Sequence, residues 1–397
     1  MNDDLFFYKK TNNSINSFES LAKALRVTEE FLIECIDISE DERYKTPRKK
    51  QFKKDGTLRE VLNPCTKIRK IQSSIKNNIL ESNKIIAWPS YVYGVAKRNL
   101  ETKKSSDFVA SAKEHCECKT LLKLDIVDFF QNIGRDEVFR IFHVLYKYPV
   151  KIASALTNLC VYKGHLPQGG ITSSHLSSLV FFDSEPELVR RLRYKDLKYT
   201  RYIDDISVSS LVSNYRMDIV KRLIVDMLEE KNLSINENKT EISSNSITSS
   251  KIHGLLIHKN EPILPSEYKK NLRAAIHQLK LARSVANGRT NSGYRDIYRS
   301  VLGRVYHMKR LKHPKAEIFL RFLKSNKATP KTSRYFVDKL EADVSFLENN
   351  IEKKNTNPDW YLYRIKMVKY KIGIDGDSYG KRKDSLRARI KKIQSML

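Results

Sequence analysis

Tyr199-Thr200-Arg201-Tyr202-Ile203-Asp204-Asp205-Ile206-Ser207-Val208 places two adjacent carboxylates inside a run of aromatic and apolar residues. Such a run reads as a β-hairpin over 198–210 whose turn carries Asp204 and Asp205. Aspartate is common in β-turns, and the pair alone would be an ordinary acidic turn. A third aspartate changes the reading. Leu122-Lys123-Leu124-Asp125-Ile126-Val127-Asp128-Phe129-Phe130 sets Asp125 in a second apolar run, a buried strand leading into a helix over 120–133. An unpartnered buried carboxylate is costly and adjacent carboxylates repel one another, and a divalent cation relieves both. Strands that present three carboxylates at their ends suit two metal ions roughly 3.5–4 Å apart, which activate an attacking hydroxyl and stabilise a leaving phosphate. Asp125, Asp204 and Asp205 are therefore the candidate catalytic and metal-binding residues, for two magnesium ions with manganese as the alternative. Ile126 is placed with them at the metal and the nucleotide, and Tyr202 beside the nucleotide. Asp128 reads as a cap or supporting group.

Leu166-Pro167-Gln168-Gly169-Gly170-Ile171-Thr172-Ser173-Ser174 lies between the two aspartate motifs and enters a helix over 175–192. Exposed backbone N–H groups at a helix start suit a phosphate or a templating base pair, which makes Gln168 and Gly169 nucleotide contacts. Phe130 follows Asp125 closely enough to lie beneath the sugar of an incoming nucleotide. There it would clash with a 2′-hydroxyl and select deoxynucleotides, while one of Phe129 and Phe130 fills the core. Lys239, in Asn236-Glu237-Asn238-Lys239-Thr240, follows an amphipathic helix over 215–231 and is a candidate proton donor to a pyrophosphate leaving group. Residues 44–64 form a basic hairpin with its turn at Asp55-Gly56. It would fold Arg59 and Lys53 over the triphosphate, where the planar guanidinium binds phosphate oxygens in pairs.

The remaining elements order themselves around these motifs. Two short helices span 14–38 behind the N-cap Ser17, and a helix over 66–82 aligns Ile68, Ile71, Ile75 and Ile79. Helices over 136–148 and 151–161 follow, with later strands near 240–243 and 252–258. This βαββαβ order predicts an α+β fold built on a ferredoxin-like antiparallel sheet with helices on one face. After Pro265 the chain turns to basic helices over 266–286, 292–311 and 314–327, then 331–354, 359–372 and 382–396.

At 397 residues the chain has room for two or three domains, and its net charge of +28 calls for a polyanionic partner. No run reaches the ~18 apolar residues of a membrane span. The start Met1-Asn2-Asp3-Asp4 lacks the basic-then-apolar pattern of an export signal, and five cysteines without a paired spacing predict reduced thiols in a cytoplasmic protein. A membrane partner is therefore not expected.

These motifs, in this order and spacing over about residues 20–315, resemble bacterial retron-type reverse transcriptases. Asp55-Gly56-Thr57-Leu58-Arg59 with Ile68-Arg69-Lys70-Ile71-Gln72 is similar to the family's fingers segment. Ser111-Ala112-Lys113-Glu114-His115 sits where those enzymes carry Asn-Ala-x-x-His, and Ile252-His253-Gly254 where they carry Val-Thr-Gly. The resemblance implies a right-hand polymerase fold: an N-terminal helical segment (1–43), fingers (44–119), palm (120–262, with a fingers insertion around 136–165), thumb (263–327) and a helical extension (328–397). It implies magnesium-dependent DNA synthesis from deoxynucleotides on a cognate structured non-coding RNA that is both template and primer, yielding a joined DNA copy, in defence against phage. An effector or toxin protein and an oligomer are the further partners it brings into view. Two alternatives stay open: template-independent or protein-primed DNA synthesis, for which the 20 tyrosines offer hydroxyls, and a catalytically silent RNA-binding protein.

Overall fold

The structure, a computed structural model, describes residues 4–11, 15–47, 51–52, 56, 58–82, 84–95, 105–244, 250–284, 292–328, 334–352, 358–373 and 380–395. Lys53 and the Asp55 turn of the basic hairpin lie outside them. The chain divides into two compact units, Met1–Ile263 and Leu264–Leu397.

The first unit is organised by a five-stranded sheet. Its strands run in the order Glu241–Ser244, Thr120–Asp125, Asp205–Ser210, Lys198–Tyr202 and Val92–Tyr93. The first four pair antiparallel and the fifth joins the edge in parallel. Leu122, Leu124, Ile206 and Val208 leave the sheet for one continuous core. Helix Thr66–Ile75 presses Ile68, Ile71 and Ile75 into that core and widens into a π turn to Leu80, which brings Ile79 in as well. Helix Asp218–Glu229 buries Val220, Ile224, Met227 and Leu228 at helical spacing. The basic hairpin is present as Gln51–Phe52 paired with Leu58–Arg59.

Three expectations change. The helix over 175–192 is two helices, Ser173–Leu179 and Glu185–Arg193. Pro186 stands in the first turn of the second, where its missing N–H is harmless, and it cannot continue a helix from upstream. The strand near 252–258 is a hairpin, Lys251–Ile252 against Leu255–Leu256. Its turn residues His253 and Gly254 have φ of +48° and +78°, the left-handed pair that a tight hairpin turn requires. The parallel edge strand Val92–Tyr93 is new, and at two residues it is too short to show a period.

The second unit is helical. Ser266–Ser284, Ser292–Arg310 and Ala316–Ser325 pack in succession. Arg334–Asn349, Pro358–Gly373 and Gly380–Ser395 close a three-helix bundle around Leu340, Val344, Ile365, Val368, Leu386 and Ile390. Arg382 to Glu341 and Arg389 to Glu348 tie its first helix to its third.

Candidate active site

The site is set by strand register. Asp205 opens its strand directly opposite Asp125, the last residue of the neighbouring strand, and opposite Tyr202 across the hairpin. The turn is therefore Ile203-Asp204, with Asp205 already in the ladder. Ile203 has φ of +60°. A β-branched residue there is strained, so the surroundings must hold it. Two backbone contacts do so: the Ile126 N–H donates to the Asp204 carbonyl at 3.2 Å, and the Arg201 guanidinium donates to the Ile203 carbonyl at 3.3 Å. Asp125, Asp204 and Asp205 are thereby brought to one end of two adjacent strands.

Arg201 is the anchor beneath. Its side chain and that of Glu185 are both 0% exposed, and they meet fork to fork, Nε to Oε1 at 2.6 Å and Nη2 to Oε2 at 2.7 Å. Tyr199 Oη donates to the same carboxylate at 2.7 Å, and Arg201 Nη2 also donates to the Ser178 carbonyl. The ladder and this buried pair fix the turn from both sides. Sequence reading missed the pair. The available signal was an arginine flanked by Thr200 and Tyr202 in a strand next to the aspartate turn.

Charge in the site is unbalanced. Burial first, and then the neighbouring carboxylates Asp205 and Asp125, push the Asp204 carboxyl up to about 6. The Lys239 ammonium donates to Asp125 Oδ2 at 2.9 Å, and that bond holds its proton more tightly than usual. Lys239 reaches the carboxylates from a single helical turn, Glu237–Lys239, with its side chain 62% exposed. Asp125, Asp204 and Asp205 are hard oxygen donors of the kind that suit a divalent cation, with burial first and repulsion second raising Asp204. Among the described residues no three acidic, histidine or cysteine side chains close into a metal cage, so such a cation would complete its shell with water and phosphate. Ile126 buries its side chain, and the bonds of its bridge to Ile235 run from Val127 and Asn236, so what it offers the site is backbone.

The other residues singled out by sequence fall as follows. Phe129 is buried and stacks on Phe181, while Phe130 is half-buried beside it, so the two rings divide as expected between core and surface. Asp128 stands at the start of helix Phe129–Asn132 with φ of +41°, and its side chain makes no capping bond. The Gln168 carbonyl accepts from Leu62 N–H at 2.7 Å, which ties the glycine loop to the base of the basic hairpin. Gly169 has φ of +113°, and a Cβ there would lie 2.2 Å from the Leu62 carbonyl oxygen, so only glycine fits. Arg59 lies in the hairpin strand Leu58–Arg59. Tyr202 is half-buried against the His253 ring, centroids 4.8 Å apart, and burial followed by Asp107, Asp205 and Asp204 raises its phenol. His253 Nδ1 stands 3.6 Å from Asp205 Oδ2, a neighbour that the motifs alone did not reveal.

Comparison with known proteins agrees with this arrangement. The family profile described as "Reverse transcriptase (RNA-dependent DNA polymerase)" matches residues 49–278. The retron Ec48 reverse transcriptase of Escherichia coli is 34% identical over 98% of this chain and 95% of its own length. The retron Se72 reverse transcriptase of Salmonella heidelberg is 30% identical over 82% of this chain and 84% of its own. The Escherichia coli retron Ec86 reverse transcriptase is 27% identical over 68% and 80% respectively. Similarity that runs along nearly the whole chain, with the aspartate strands and the glycine loop inside the matched region, establishes that the chain belongs to the retron-type reverse transcriptases and is an RNA-directed DNA polymerase.

Proposed function

We propose that the chain copies part of a cognate structured non-coding RNA, used as both template and primer, into a joined DNA strand by two-metal phosphoryl transfer at Asp125, Asp204 and Asp205. The observation that carries this reading is the register that sets Asp205 opposite Asp125, with the Asp204 carboxyl raised between them. Bound magnesium supplies activation of the attacking 3′-hydroxyl and neutralisation of the phosphates. The three carboxylates, with the Ile126 backbone, would hold it. Lys239, whose bond to Asp125 holds its proton, would give that proton to the departing pyrophosphate.

The strand Leu58–Arg59 belongs to the hairpin whose base is tied through Leu62 to Gln168, and Arg59, with Lys53 as the sequence suggests, would take the triphosphate. Phe130 screens the sugar and Tyr202 lies at the nucleotide's edge. In this reading residues 1–43 are an N-terminal helical segment, 44–119 the fingers, 120–262 the palm, 263–327 the thumb and 328–397 a helical extension. Priming from the RNA and a role in phage defence rest on the resemblance to retron enzymes. The basic surface would grip RNA phosphates, and specificity would come from the RNA's shape and unpaired loops.

Asp204→Asn and Asp205→Asn are expected to abolish DNA synthesis while RNA binding persists, measured by primer extension and filter binding on the same preparations. Normal synthesis by either variant refutes the assignment. Sequencing the nucleic acid that copurifies with the protein tests the priming mode. A small RNA joined to a DNA copy of part of itself supports the reading, and untemplated or protein-linked DNA overturns it.

A further inference from the structure

Ser111 and His253, which stand where retron enzymes carry Asn and Thr, meet one another. They lie 142 residues apart in sequence, yet Ser111 Oγ is 3.4 Å from His253 Nε2. The contact is the last link of a longer chain of polar groups. Ser209 Oγ lies 2.7 Å from His115 Nδ1, and His115 Nε2 lies 2.8 Å from Thr200 Oγ1. Thr200 Oγ1 lies 3.1 Å from Ser111 Oγ, and His253 Nδ1 then faces Asp205 Oδ2 at 3.6 Å. Ser111, His115, Thr200 and Ser209 are all buried, so each link is shielded from competing water.

One order of hydrogens satisfies the whole chain. With the His253 hydrogen on the nitrogen that faces Asp205, Nε2 accepts from the Ser111 hydroxyl. Ser111 in turn accepts from Thr200, Thr200 accepts from His115 Nε2–H, and His115 Nδ1 accepts from Ser209. Every donor is used once and no extra proton is needed. Complete burial pushes His115 down to about 3, in keeping with the neutral ring this assignment requires.

We infer that His253, held by Ser111 and the chain behind it, is a positioning residue that orients Asp205 toward the metal. The inference rests on the proposed metal-binding role of Asp205. At 3.6 Å the contact is longer than a hydrogen bond, so it acts by aiming an N–H dipole at the carboxylate rather than by a bond already formed. Two features hold the ring in place. The left-handed turn at φ of +48° aims it, and the Tyr202 ring packs against it. Histidine is among the side chains that tolerate this backbone, whereas β-branched threonine is not. Groups that orient a metal's ligands commonly change metal affinity or activity by about 10–100-fold when removed.

The test uses two isosteres. His253→Asn keeps an N–H near the Nδ1 position and loses the Nε2 end, and His253→Gln does the reverse. Full-length protein is titrated with magnesium, and two midpoints are read: that of the rise in melting temperature without substrate, and that of DNA synthesis. His253→Gln should raise both midpoints roughly 10-fold or more, His253→Asn should stay within about 3-fold of wild type, and Ser111→Ala should fall between them. Unchanged midpoints in His253→Gln, or equal losses in the Asn and Gln variants, overturn the inference. Asp205→Asn serves as the control. If it still binds magnesium and makes DNA, the metal assignment has failed rather than the role of His253.

Discussion

Replacing Glu185 by Gln removes one charge and hardly any volume from the pair that anchors the active-site turn. Arg201 would be left buried, 0% exposed, with its fork facing an amide in place of a carboxylate. One former acceptor becomes an N–H directed at Arg201 or at the Tyr199 hydroxyl. Breaking a buried ion pair from one side costs about 3–5 kcal/mol because the remaining charge is uncompensated. For a unit the size of Met1–Ile263, each kcal/mol moves the melting temperature by roughly 2–4 °C, so a drop of about 6–20 °C is expected. Removing both charges, as Glu185→Leu with Arg201→Met, should cost far less than the sum of the single changes, since apolar replacements of buried pairs are often near neutral. That double variant should still lose DNA synthesis, because the Ile203 carbonyl loses its Arg201 donor and the strained turn carrying Asp204 is released. Thermal melting and primer extension on wild type, Glu185→Gln, the two single variants Glu185→Leu and Arg201→Met, and their double decide the matter. A Glu185→Gln melt within about 2 °C of wild type, or fully additive single costs, would refute the reasoning.

Other outcomes follow from the same geometry. His115, neutral and pushed down to about 3 against an ordinary value near 6.5, contributes stability that is fully present above pH 6.5 and drains away below it. Between pH 6.5 and 5 the protein should lose about 2 kcal/mol that a His115→Gln variant does not lose, and equal urea midpoints shifts in the two would contradict this. Gly169→Ala should lose about 1–3 kcal/mol in urea unfolding, because its Cβ meets the Leu62 carbonyl at a left-handed φ. Phe130→Ala should admit ribonucleotides in primer extension, and unchanged sugar discrimination would remove Phe130 from the sugar-screening role.

The parts of this protein that sequence shows are those where chemistry and period coincide locally. Asp125, Asp204 and Asp205 stand in apolar runs whose strand character follows from Leu122, Leu124, Ile206 and Val208, and helix 66–82 follows from four isoleucines at helical spacing. The interruption between Leu179 and Glu185 is hidden because Val180, Phe181 and Phe182 continue an apolar pattern, and only Pro186 betrays it. The Arg201–Glu185 fork and the Ser111–His253 contact join residues with no shared motif, so their pairing exists only once the sheet has formed. The left-handed turn at His253 is not legible in sequence, because Gly254 alone does not distinguish a bulge from a hairpin.

The ladder that sets Asp205 opposite Asp125 also acts as a check on assembly. Along that strand Ser207 and Ser209 share the face of Asp205, where Ser209 meets His115, while Ile206 and Val208 enter the core. A slip of one residue would push serines into the core and isoleucine and valine against the buried histidine. A chain mispaired in that way would bury serine hydroxyls in the apolar core and lose the Ser209–His115 contact, so the packing that stabilises the sheet is the same packing that brings the carboxylates into register.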